Sequence, residues 1–340
     1  MIIILKKGCS EADAQPILER IESLGLKPLY LPGDEKIVLG AIGDERILAQ
    51  ARLESLPVVE RIVPILKPHR LSNLEFQPER SRIQVGEVVF GGEEIPVIAG
   101  PCAVESERQI VETAQAVRAA GARLLRAGAY KPRTSPYAFQ GLEEEGLRLL
   151  AIARDASGLP IVTEVISEHD VEKVGAVADM FQIGARNMQN FRLLKAVGGT
   201  KTPVLLKRGP AASMGELLLA AEYILAEGNP NVVLCERGIK SFFADTRNTF
   251  DLSVIPLLKQ ETHLPVIADP SHGTGVRSII PAMSLAAIAC GADGLLIEVH
   301  PSPQEALSDG FQQLTPEQFQ DLMIRSRSVA RAVGRTISEV

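Results

Sequence analysis

From Ile95 onward the chain alternates eight short apolar runs with stretches of helical spacing. The runs are Pro96–Ala103, Leu124–Ala127, Ile161–Val165, Met180–Ile183, Val204–Lys207, Val232–Cys235, Val266–Ala268 and Leu295–Val299. Helical spacing follows in stretches such as Ser106–Ala120, Leu142–Asp155, Gly215–Glu227, Val276–Cys290 and Pro316–Ala332. Runs that are apolar throughout, not at alternate positions, mark parallel strands buried on both faces. Eight βα units over residues 95–340 predict a (β/α)8 TIM barrel. A doubly wound open sheet shares the alternation, but its Gly-x-Gly-x-x-Gly turn after the first strand is missing. Trp is absent and aromatics make up only 4%. The core must therefore be aliphatic, as stacked Val, Ile and Leu layers are.

Residues 1–67 read differently. Ile2–Leu5 is a β-rich run, and Glu11–Leu24 carries Ala14, Ile17, Leu18, Ile21 and Leu24 at helical spacing. Pro28–Leu31 and Lys36–Ala41 flank the turn Pro32-Gly33-Asp34, then come a helix over Asp44–Leu56 and a strand over Val58–Ile65. The order βαββαβ predicts a small ferredoxin-like domain. Residues 68–94 read as a polar linker and a hairpin, with Gln84–Phe90 running into Gly91-Gly92-Glu93-Glu94.

The formal charge is −6, from 36 basic and 42 acidic residues. That balance argues against a general nucleic-acid or anionic-membrane surface, so a strongly positive site must be local. Cys9, Cys102, Cys235 and Cys290 form no CxxC pair, and a reducing cytoplasm is the expected location. The apolar N-terminal run precedes Lys6 and Lys7, the reverse of a signal peptide, and no run approaches ~20 apolar residues.

Barrel chemistry sits at the C-terminal ends of the strands. Two groups of residues fall there. Arg126, Lys131, Arg133, Arg186, Lys207 and Arg237 follow strands two, four, five and six. For any one of them, pairing with an acid such as Glu164 or Glu236 is a sufficient explanation. Gathered at one barrel face, they suit a phosphate and a carboxylate. Cys102, His272, Glu298 and Asp309 follow strands one, seven and eight, which closure makes neighbours. A thiol, an imidazole and two carboxylates suit one divalent ion such as Mn, Fe, Co or Zn. Cys9, Cys235, Cys290, His69, His169 and His263 read as structural, and Asp309 beside Gly310 is also compatible with a turn. Ser271-His272-Gly273-Thr274-Gly275 offers either backbone N–H groups to an anion or a tight strand exit, with His272 exposed at the mouth.

These residues lie in GPCAVES (100–106), RAGAYKPRTSPYAFQG (126–141), QIGARNMQN (182–190), LLKRG (205–209), CERG (235–238), DPSHGTG (269–275) and IEVHP (297–301). Together the motifs resemble those of the 3-deoxy-D-arabino-heptulosonate 7-phosphate (DAHP) synthases, in the short subgroup with a ferredoxin-like extension. The resemblance implies condensation of phosphoenolpyruvate with erythrose 4-phosphate and water, the first step of the shikimate pathway to aromatic amino acids. It implies metal ligation by Cys102, His272, Glu298 and Asp309. It places phosphoenolpyruvate on Arg126, Lys131, Arg186, Lys207 and Arg237, with backbone at Gly184 and Ala185. It places erythrose 4-phosphate along Lys131, Pro132, Arg133 and Thr134. Lys131 would either protonate the new alkoxide or hold the carbonyl, with Cys102 and His272 also at the reacting centre. The extension implies either inhibition by Tyr or Phe or a role in assembly by packing against neighbouring subunits, and the family a homotetramer.

The sister family, 3-deoxy-D-manno-octulosonate 8-phosphate synthase, is the alternative, using arabinose 5-phosphate. Lys-Pro-Arg-Thr-Ser at 131–135 and Cys102 favour the four-carbon aldose and a metal. A non-catalytic sensor and an aldolase with Lys207 as Schiff-base amine are rivals from other classes.

Overall fold

A computed structural model describes residues 1–339 apart from 33–35, 44–46, 48–50, 52, 64–68 and 133–134. It divides into two compact units, Met1–Pro68 and His69–Val340. The first contains strands β1 (Ile2–Leu5), β2 (Lys27–Pro32), β3 (Ile37–Ile42) and β4 (Val59–Val63) in the order β2-β3-β1-β4. β1 runs antiparallel to both β3 and β4. The helix Glu11–Ser23 turns Ala14, Ile17 and Ile21 onto Ile3, Leu5 and Leu39. This is the ferredoxin-like sheet. Most of the expected second helix lies outside the described residues; its end is a 3-10 turn, Leu53–Ser55.

The second unit opens with the hairpin β5 (Ile83–Val85) and β6 (Val88–Phe90). Strands β7 (Val97–Gly100), β8 (Leu124–Arg126), β9 (Ile161–Glu164), β10 (Met180–Ile183), β11 (Val204–Lys207), β12 (Val232–Glu236), β13 (Val266–Ala268) and β14 (Leu295–Glu298) follow. They form a closed parallel barrel in chain order, with β14 beside β7. Every strand contributes to an inner layer through Ile98, Leu124, Val162, Met180, Leu205, Val233, Ile267 and Leu296. Ile83, Val85, Val88 and Phe90 of the hairpin pack into that layer, as does Cys235, an inert buried thiol. A core this aliphatic closes on itself without Trp because unbranched and β-branched chains of similar volume interdigitate layer by layer.

The stretch 69–82, read as a linker, is fastened along the barrel. Glu222 accepts the backbone N–H groups of Arg70, Leu71 and Ser72. Ser81 donates its backbone N–H to His263, whose ring contacts the Ser81 hydroxyl and the Leu71 carbonyl, each at 2.7 Å. His263 is thus a satisfied structural histidine.

The outer helices start where the sequence caps them. Ser106 accepts from Gln109, while Ser213 with Glu216 and Thr315 with Gln318 form capping boxes. The glycine loop after β13 folds instead as a short helix, Pro270–Thr274, with Asp269 as N-cap and Pro270 in its first turn. Its Gly273 and Gly275 N–H groups are spent on the carbonyls of Asp269 and Ser271. The strand-exit reading therefore holds for them, not the anion-nest reading.

Candidate active site

The C-terminal ends of the barrel strands enclose a pocket of about 210 Å³. Its walls include Arg126, Lys131, Pro132, Gly184, Ala185, Arg186, Lys207, Arg237, His272 and Asp309. Arg133 and Thr134 lie outside the described residues.

The cations divide by partner. Arg126 donates to Glu298 at 2.5 Å, and Lys207 to Asp269 at 2.6 Å; all four side chains are buried. For these two the ion-pair explanation applies, with acids other than Glu164 and Glu236. Glu236 instead pairs with Arg208 at 3.0 Å, and Glu164 accepts from Gln182. Among the described residues, no carboxylate lies within ion-pair distance of Lys131, Arg186 or Arg237. Lys131 donates to the Cys102 carbonyl at 2.9 Å and Arg237 to the Gly238 carbonyl at 3.2 Å. Arg186 is exposed and, among the described residues, donates to the Pro132 carbonyl alone. Burial lowers the guanidinium pKa of Arg237 from its ordinary value, more than Asp269 raises it. A buried cation without a counter-charge is costly, and an anionic ligand relieves that cost. Gly184 supplies a further device. A Cβ there would collide with Glu164 Oε1, so glycine lets backbone and carboxylate share this wall without the carboxylate moving aside.

The second group converges as the strand order implies. Ligand atoms of Cys102, Glu298 and Asp309 lie within 4.8 Å of one another. His272 Nε2 is 3.5 Å from Glu298 Oε1, and its Nδ1 is 2.8 Å from Asp269 Oδ2. His272 is only 14% exposed, less open than a mouth residue would be. Donors that share an ion at roughly 2.0–2.3 Å stand about 3–4.6 Å apart, so Cys102, Glu298 and Asp309 fit one divalent cation, with His272 beside Glu298. Asp269 fixes one imidazole nitrogen and leaves the other facing the cluster, the arrangement metal-binding histidines use. Asp309 has a left-handed backbone (φ 50°), which aims its carboxylate inward.

The protonation balance agrees. Burial, with Glu298 second, raises the Cys102 thiol. Burial lowers His272, although Asp269 and Glu298 pull the other way. Burial would raise Glu298, but His272 and Arg126 outweigh it and the carboxyl lies below its usual range. Burial opposes the ionisation of Asp309 too, yet Arg247 and His272 bring it down to about 2. Two carboxylates and a neutral imidazole are ready ligands, and a divalent cation would draw the proton from the thiol.

Several residues here carried no sequence signal. Arg247, from the loop after β12, reaches Asp309 at 3.2 Å and Gln312 at 2.7 Å. Gln312 and Gln313 follow Asp309 and are fully buried. Asp269 did carry one: Asp followed by Pro is a helix N-cap pattern.

Residues 1–67 match the DAHP synthase ferredoxin-like domain and residues 74–333 the DAHP synthetase I family. The chain belongs to the DAHP synthase family. A phospho-2-dehydro-3-deoxyheptonate aldolase of Thermotoga maritima is 48% identical over 98% of this chain and 99% of its own. The crystal structure of a T. maritima phospho-2-dehydro-3-deoxyheptonate aldolase (DAHP synthase) superposes with a TM-score of 0.95 at 46% identity, covering 99% of both chains. A 2-dehydro-3-deoxyphosphooctonate aldolase of Acidithiobacillus ferrooxidans is more distant, at 34% identity over 67% of this chain and 86% of its own. DAHP synthases use phosphoenolpyruvate and erythrose 4-phosphate and are generally metal-dependent. No helix among the described residues is long and apolar enough to cross a membrane.

Proposed function

We propose that this chain joins phosphoenolpyruvate to erythrose 4-phosphate with addition of water, releasing phosphate and 3-deoxy-D-arabino-heptulosonate 7-phosphate. One observation carries the reading. Cations without carboxylate partners among the described residues line one pocket with His272 and Asp309, and Asp309 is grouped with the buried Cys102 and Glu298. The first suits a phosphorylated carboxylate, and the second a Lewis acid beside it.

Arg186, Lys207 and Arg237 hold the phosphate and carboxylate of phosphoenolpyruvate, with Arg126 behind them and the Gly184-Ala185 backbone alongside. Lys131, Pro132, Arg133 and Thr134 receive the aldose phosphate. A divalent ion on Cys102, His272, Glu298 and Asp309 supplies Lewis acidity at the aldehyde oxygen when bound. C3 of phosphoenolpyruvate attacks the aldehyde carbon, and the Lys131 ammonium gives its proton to the new alkoxide. Water adds at C2, and phosphate leaves the resulting hemiketal. The arginines contribute chiefly by holding two mutually repelling polyanions in register. Lys207 is engaged with Asp269 rather than presented as a free amine, which disfavours the Schiff-base alternative.

Phosphate release with erythrose 4-phosphate or arabinose 5-phosphate tests this. A higher kcat/KM for the four-carbon sugar is expected. A preference for the five-carbon sugar would assign the chain to the sister reaction.

We further propose that residues 1–67 carry feedback inhibition by Tyr or Phe in a cytoplasmic homotetramer. A concavity bordered by Glu19, Arg20 and Leu24 offers both charges that an amino acid zwitterion needs. Removal of residues 1–67 should leave turnover and abolish inhibition; unchanged Tyr sensitivity would rule this out.

A further inference from the structure

Two adjacent glutamines on the loop after β14 touch every member of the Cys102–Glu298–Asp309 cluster, directly or through one neighbour. Gln312 donates from Nε2 to Glu298 Oε2 at 2.6 Å. Its Oε1 accepts from Arg247 at 2.7 Å, and the same Arg247 nitrogen lies 3.2 Å from Asp309 Oδ2. Gln313 accepts the Cys102 backbone N–H at 3.0 Å through Oε1 and donates to the Ser308 carbonyl at 2.7 Å through Nε2. Ser308 precedes Asp309, and its hydroxyl is 2.8 Å from the Cys102 sulfur. Both glutamine side chains are completely buried.

The chemistry at each position requires an amide. Gln312 lies between a carboxylate and a guanidinium, so it must donate on one side and accept on the other. A Glu there would face Glu298 with a like charge, and a Lys would face Arg247 with one. Gln313 lies between a backbone donor and a backbone acceptor, with the same two-sided demand. Gln312 ends the 3-10 turn Gly310–Gln312 and Gln313 is extended (φ −86°, ψ 137°), so consecutive side chains diverge to different parts of the cluster.

We propose that Gln312 and Gln313 are positioning residues for the metal cluster: Gln312 orients Glu298 and, with Arg247, Asp309, while Gln313 fixes the backbone of Cys102 against Ser308. The proposal rests on Cys102, Glu298 and Asp309 being ligands. Hydrogen bonds to the outer oxygen of a ligating carboxylate set its orientation, and their removal typically weakens metal affinity or activity by 10–100-fold, an order-of-magnitude expectation.

The test uses full-length apo-protein titrated with Co²⁺. Dissociation constants and the near-ultraviolet thiolate-to-cobalt absorption are recorded for wild type, Gln312→Met, Gln313→Met and Cys102→Ala, with circular dichroism to verify folding. Gln312→Met should bind Co²⁺ about 10–100-fold more weakly with the thiolate band retained. Gln313→Met should shift or weaken that band. Gln312→Asn and Gln313→Asn keep the amides but shorten their reach, and they should show the same losses if a Met variant does not fold. Glutamine variants with wild-type affinity and spectrum, alongside a Cys102→Ala variant that loses Co²⁺, would overturn this inference alone. Wild-type Co²⁺ affinity in Cys102→Ala would instead overturn the ligand assignment beneath it.

Discussion

Arg208 directly follows β11 and Arg237 directly follows the neighbouring β12, and both are buried, yet their removal should have opposite effects. Arg208 donates to Glu236 at 3.0 Å and to Asp251 at 3.1 Å. Arg208→Met strands Glu236, which is 0% exposed, and breaking a buried pair costs about 3–5 kcal/mol. Burial already holds Glu236 above the usual carboxylate range, so proton uptake offsets part of the loss. Arg237 has one carbonyl at 3.2 Å and no carboxylate partner among the described residues. Arg237→Met therefore removes an unpaired buried charge, and the apo-barrel should be unchanged or more stable, by roughly 0–4 kcal/mol. The same change deletes a charge-assisted contact worth about 1.5–3 kcal/mol to the bound anion. KM for phosphoenolpyruvate should rise about 10–150-fold. Denaturant unfolding of the apo-proteins and steady-state kinetics read the two quantities separately. An Arg237→Met protein destabilised as much as Arg208→Met, with KM unchanged, would refute the idea that Arg237 is held ready for an anion.

Other consequences are open to measurement. Gly184→Ala drives a Cβ into Glu164 Oε1 at 2.0 Å, so KM for phosphoenolpyruvate should rise about tenfold while circular dichroism stays unchanged. Chelation with EDTA should stop phosphate release and added Mn²⁺ restore it, without loss of secondary structure, because the cluster lies outside the aliphatic core. Burial lowers the His263 pKa from 6.5, outweighing its bond to Leu71. The folded state thus stays neutral where the unfolded state takes up a proton. Stability from this site is complete above about pH 6.5 and falls as pH drops from there toward the folded pKa, a slope that His263→Gln should flatten in pH-dependent unfolding.

The barrel was legible because parallel strands buried on both faces are written as unbroken apolar runs, and because eight of them leave few alternatives to closure. The strand-end cations and Cys102, His272 and Glu298 were legible because position along a strand fixes which end of the barrel a side chain occupies; Asp309, on the loop after β14, was not fixed in that way. Partners were not. Lys207 ends β11 and Arg208 follows it directly, and nothing in their sequence says that the first meets Asp269 while the second meets Glu236 and Asp251. Arg247, Gln312 and Gln313 lie on long loops, whose path decides their neighbours and leaves no periodicity to read. The helix after β13 was masked by its glycines, although Asp269-Pro270 is the stronger signal.

The most direct test of the central claim is anomalous diffraction from crystals grown with Mn²⁺ and phosphoenolpyruvate. One manganese peak bounded by Cys102, His272, Glu298 and Asp309 is expected, with the phosphate against Arg186, Lys207 and Arg237. Manganese bound elsewhere, or phosphoenolpyruvate lying away from Arg237, would contradict it.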